Sequence, residues 1–95
     1  MSDGPHAKFP LGQLVMTTGA AAAFERTREQ PLSYVVRHAQ GDWGELDADD
    51  VQENEFSLKR RLRLLSRYTL GDKTVIWIIT EADRSATTIL LPDEY

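Results

Sequence analysis

The residues best suited to chemistry are Arg37-His38, followed closely by Gly41-Asp42-Trp43-Gly44. A histidine near the C-terminal end of a helix is held more easily as a cation, and an adjacent guanidinium offers a fork for phosphate or carboxylate. Such a pair could transfer a proton at a phosphodiester. The structural alternative is that His38 caps its helix while Trp43 plugs the core between two turn glycines. A second group lies downstream in Ser66, Tyr68, Thr80, Arg84, Thr87 and Thr88. If Thr80 and either Thr87 or Thr88 point to one sheet face, their hydroxyls could bind phosphate oxygens near Arg84. Threonine is also an ordinary strand residue and Arg84 sits in a turn, so both groups have a purely structural reading.

The third feature is charge order. From Asp42 to Glu55 every charged residue is acidic (Asp42, Glu45, Asp47, Asp49, Asp50, Glu53 and Glu55), and Lys59, Arg60, Arg61, Arg63 and Arg67 then reverse the sign. Such a reversal gives either a bipolar docking surface or simply solvated faces. On the docking reading the partner-binding residues are Asp42, Trp43, Asp47, Asp49, Asp50, Arg60, Arg61 and Arg63. The net charge of −4 disfavours non-specific nucleic-acid binding. With no cysteine, disulfides, thiolate nucleophiles and the usual structural zinc sets are excluded. There is no Gly-rich phosphate loop, serine nucleophile elbow, EF-hand loop or histidine pair at metal spacing, so no metal and no cofactor are expected.

These residues need elements to position them. A chain of 95 residues supports one domain, and its 41% hydrophobic and 27% charged content is that of a globular protein. Met1 to Pro10 lacks periodicity and reads as a flexible arm, leaving residues 11–95 as the domain. Leu11 to Met16 suits an edge strand. Thr17-Thr18-Gly19 supplies capping hydroxyls for a helix over Ala20 to Arg28. Pro31 suits a first helical position, and Leu32, Val35 and Val36 continue a second helix to His38 or Ala39. Asp47 can cap a third helix over Ala48 to Ser57, with carboxylates where the dipole favours them. Leu58 to Leu70 fits helix or strand, and the strand is favoured from Arg63. The reason is that Gly71-Asp72 forms a turn into Thr74 to Thr80, a run expected to be buried on both faces. A further turn at Asp83-Arg84-Ser85 leads to Ala86 to Leu91. The expected fold is α+β, with a short N-terminal strand and two to three helices packed on a C-terminal three-stranded antiparallel meander, burying Trp77, Ile79 and Ile89. The apolar runs are too short to span a membrane and no export signal opens the chain, so a cytoplasmic location is expected.

The stretches RHAQGDWGELDADDVQEN, RLLSRY and IWIITEADRSATTILLPDEY carry a resemblance. Over Leu11 to Tyr95 the chain resembles a group of small proteins encoded on bacterial plasmids, integrative elements and phages. It departs from them at Lys59-Arg60-Arg61-Leu62, where similar proteins tend to have a glycine before the strand arginine. The resemblance implies an accessory role in a mobile element. Element order also resembles the barnase-and-colicin superfold of metal-independent RNases, which by analogy would assign proton transfer to His38, phosphate binding to Arg37 or Arg84, and the hydroxyl to Thr87 or Thr88. Two functions follow as expectations. One is a non-catalytic protein that binds a host protein or nucleoprotein complex through its charged faces, as an anti-defence inhibitor would. The other is an RNase-like domain acting on RNA. A homodimer through an open strand edge is compatible with either.

Overall fold

The alanine run from Ala20 to Ala23 has the strongest helix propensity in the chain, and the Thr17 hydroxyl accepts the Ala20 N–H to start it. In the computed structural model, which describes residues 7–95, that helix is α1 (Thr18–Thr27). It follows β1 (Gln13–Met16) and precedes α2 (Pro31–Ala39) and α3 (Ala48–Arg60). Strands β2 (Leu64–Thr69), β3 (Val75–Thr80) and β4 (Ala86–Leu90) complete the fold with a 3-10 turn, Pro92–Glu94. Asp47 caps α3 by accepting the Asp50 N–H, with Asp49 and Asp50 in its first turn and Lys59 and Arg60 in its last. That order matches the helix dipole at both ends and carries α3 beyond Ser57 to Arg60.

The protein is α+β, with a mixed sheet of four strands in the order β1-β4-β3-β2. Strands β2, β3 and β4 are antiparallel neighbours, as alternation and the two turns imply. The sheet is not a three-stranded antiparallel meander, however, because β1 adds to β4 in parallel, with Leu14 opposite Thr87 and Met16 opposite Ile89. Helices α1 and α2 cover one face. There Ala20, Ala23, Phe24 and Val35 pack with Tyr68, Ile76, Ile78 and Ile89. Trp77 and Ile79 have the opposite parity in β3 and point away from these helices, contrary to the expectation that all three of Trp77, Ile79 and Ile89 share the helix-covered side. The C-terminal turn crosses that other face instead, with the Tyr95 ring edge-on to Trp77 at 5.7 Å.

The expected arm falls largely outside the described residues, but its last part belongs to the fold. Phe9 is buried with Trp43 and Leu64 in a second apolar cluster, and the Lys8 N–H donates to Ala39 O at 2.7 Å. No helix among the described residues is long and apolar enough to cross a membrane.

Candidate functional site

Alternation in β2, β3 and β4 places Ser66, Thr80 and Thr87 on the helix-covered face, and α2 lays His38 over them. His38 Nδ1 lies 2.6 Å from Ser66 Oγ and Nε2 lies 2.9 Å from Thr80 Oγ1. Thr80 and Thr87 hydroxyls are 2.7 Å apart, and Thr87 donates to Leu11 O at 2.7 Å. The histidine and two of the threonines therefore converge, but inside the protein. His38, Ser66, Thr80 and Thr87 are all fully buried. Burial, with the Arg84 charge adding to it, pushes the His38 imidazole down to about 3, so the ring is neutral rather than held as a cation by the helix end. Phe9 and Trp43 close over it edge-on. Every polar atom of this chain of groups has a partner, and no phosphodiester can reach it.

The remaining residues of the RNase expectation are placed elsewhere. Arg37 lies outside, with Nε 2.8 Å from Asp42 Oδ2 and its guanidinium over the Tyr68 ring. Thr88 pairs with Ile79 in β4 and so faces the other side of the sheet from Thr87. Arg84 is buried, and among the described residues no carboxylate pairs with it. Its Nη1 donates to Leu62 O, Glu81 O and Ala82 O, and Nη2 to Ser57 O, fastening the end of α3 to the β3–β4 turn. The set His38, Arg37, Arg84, Thr87 and Thr88 thus does not converge on one accessible site. It is a buried hydrogen-bonded core, a surface ion pair, a structural clamp and a residue on the far face.

The expected docking residues also divide. Trp43 is buried and donates its indole N–H to Glu55, so it belongs to the core rather than to a surface. Asp42 is held by Arg37, which lowers its carboxyl, and Glu45 accepts the Thr69 hydroxyl at 2.6 Å. Asp47, Asp49 and Asp50 are exposed at the start of α3, Arg60 is exposed in its last turn, and Arg61 and Arg63 are exposed just beyond it. The charge reversal read from sequence is therefore real in space, spread along one helix.

Geometry adds residues that the sequence reading missed. On the sheet face away from α1 and α2, Leu65, Val75 and Trp77 floor a groove of about 500 Å3, rimmed by Glu45, Asp47 and Asp50, with Arg67 and Pro92 beside them. A second apolar hollow of about 250 Å3 joins Leu65 and Trp77 to Ile79, Tyr95 and Arg63. Trp77 lines both, so the two hollows flank one indole, the first bordered by Glu45, Asp47, Asp50 and Arg67 and the second by Arg63, which lies 3.6 Å from Glu81. Gly44 fixes the acidic wall. Its φ is +75°, and a Cβ there would lie 2.0 Å from Arg67 O, so only glycine lets this segment bridge against β2. The pairing register of β2 and β3 puts Leu65 and Trp77 on one face, but VIWIIT is apolar at both parities, so the sequence alone carries no signal for this floor.

Among the described residues no group of His, Asp or Glu side chains is placed to hold a metal ion. No known protein family, curated protein or solved structure matches the chain.

Proposed function

We propose that the protein is a non-catalytic binding module of a bacterial mobile element, engaging a host protein or nucleoprotein complex through the Trp77 groove and the acidic start of α3. The observation that carries this reading is a partly exposed indole on the sheet face that α1 and α2 leave uncovered, set in a groove rimmed by Glu45, Asp47 and Asp50. Such a floor suits an extended segment with an apolar side chain for the Trp77 hollow and lysine or arginine toward Glu45, Asp47 and Asp50. Asp49 and Glu53 extend the negative field on α3 and would speed encounter with a basic partner. The mobile-element setting rests on the sequence resemblance. The burial of His38, Ser66, Thr80 and Thr87 weighs against RNA cleavage as the alternative.

The test is capture from nuclease-treated host lysate by the immobilised chain, compared with Trp77→Ala and with Asp49→Lys/Asp50→Lys. Asp47 is left intact because it caps α3. A partner held by the parent chain should be lost from both variants while their circular dichroism is unchanged. Equal retention by both folded variants would refute the groove as the docking site.

A further inference from the structure

The two edges of the sheet are treated differently. The outer edge of β2 is occupied: Asn54 of α3 donates its Nδ2 to Leu65 O at 2.5 Å and accepts the Leu65 N–H at 3.2 Å. Arg67 exchanges N–H and C=O with Trp43 and Glu45. The outer edge of β1 has no such cover among the described residues. Gln13 and Thr17 donate inward to Ser85 O and Ile89 O, so by strand alternation the main-chain groups of Leu14 and Met16 point outward. None of the usual guards, such as proline, a bulge or a charged side chain, sits in this strand.

The surroundings of that edge are apolar. Leu14, Val15 and Met16 are 48%, 42% and 40% exposed, and Leu32 on α2 is 61% exposed. Leu14, Met16 and Leu32 line a hollow of about 330 Å3 with Pro31, Val35 and Ile89. Val36 continues the Leu32 stripe one turn along α2. In a chain that is 27% charged, no charged residue occurs between Lys8 and Glu25 or between Glu29 and Arg37.

From this edge we infer that two copies of the chain pair antiparallel through β1, forming one continuous sheet. The occupant is a second copy because the edge is self-complementary. With a two-fold axis beside Val15, Leu14 of each chain meets Met16 of the other, and each such pair exchanges both main-chain hydrogen bonds, leaving no outward group of β1 unused. Leu14 and Met16 of both chains then share the helix side of the joined sheet next to Leu32. Copies carrying a net charge of −4 repel in general, so a charge-free patch is where they can meet without juxtaposing like charges. This inference is independent of the Trp77 groove, which lies toward the opposite edge of the sheet.

The axis makes a specific test possible. Val15 faces Val15 of the partner as a non-hydrogen-bonded pair, with Cα atoms about 4.5 Å apart, within the range a disulfide spans. The chain has no cysteine, so Val15→Cys is a clean probe. The full chain should sediment at twice the chain mass, and Val15→Cys should cross-link under mild oxidant at least tenfold faster than Gln52→Cys on the exposed surface of α3. Val15→Lys, or Met16→Lys if the first variant loses its circular dichroism, should sediment at the mass of one chain. A parent chain that stays monomeric at every concentration, a dimer that survives the lysine variants, or equal cross-linking at positions 15 and 52 would each overturn the proposal.

Discussion

His38 shows how a residue with catalytic potential becomes structural. Its two ring nitrogens are both used inside the fold, by Ser66 and Thr80, and neither meets water. The consequence is a pH dependence of known sign. An unfolded chain takes up a proton on this imidazole below about 6.5, whereas the folded ring resists protonation until about 3. Stability contributed by neutral His38 is therefore complete above 6.5 and is lost as pH falls toward 3, by up to about 1.4 kcal/mol per pH unit. The carboxyls of Asp72 and Glu94, also lowered, lose their contributions only below their ordinary values of 3.8 and 4.5. Between pH 6.5 and 5 a falling urea midpoint should thus come mainly from His38, and His38→Gln should flatten it. An equal slope in that variant would show that the buried ring does not set the acid limit. From the sequence, His38 could be placed at the end of a helix, but not oriented. Its direction depends on Ser66 and Thr80, which β2 and β3 deliver from far along the chain.

At the scale of elements, local chemistry made most of the fold readable. Thr17, Pro31 and Asp47 mark helix starts, and the turns at Gly71-Asp72 and Asp83-Ser85 separate the strands. Two things lay beyond such signals. Parallel pairing of β1 with β4 joins segments with no turn between them, and nothing in Gln13–Met16 says which strand it will meet. The run VIWIIT is apolar at both parities, so its pattern could not tell which face the helices take or that Trp77 floors a groove. The docking surface was legible as a charge reversal but not as a cleft. Asn54 is a further case: a polar residue within α3 whose amide imitates a neighbouring strand for Leu65. Asn54→Ala should cost about 1–2 kcal/mol by leaving both Leu65 groups without their partner. In urea denaturation this appears as a lower midpoint with an unchanged slope. A midpoint equal to that of the parent would mean that water serves the β2 edge as well as Asn54 does.

At the scale of the whole molecule, the first and last described strands are fastened together. β1 lies against β4, and the Glu94 carboxylate accepts both the Thr17 hydroxyl and the Gly19 N–H at the start of α1. Among the first described elements to leave the ribosome is thus one of the last to find its place, since its neighbour is the final strand. A nascent chain stalled with β4 still inside the exit tunnel should be cut readily by protease near Gln13–Met16, whereas one stalled through an added linker with β4 outside the tunnel should protect that segment. Protection before β4 emerges would show that the N-terminal half holds its strand unaided. Until β4 is in place, both edges of the apolar Leu-Val-Met run stand open to any passing extended peptide, and afterwards its outer edge still does. The interval between translation and closure is when this small protein is most exposed to mispairing, and chaperone capture would have its clearest target there.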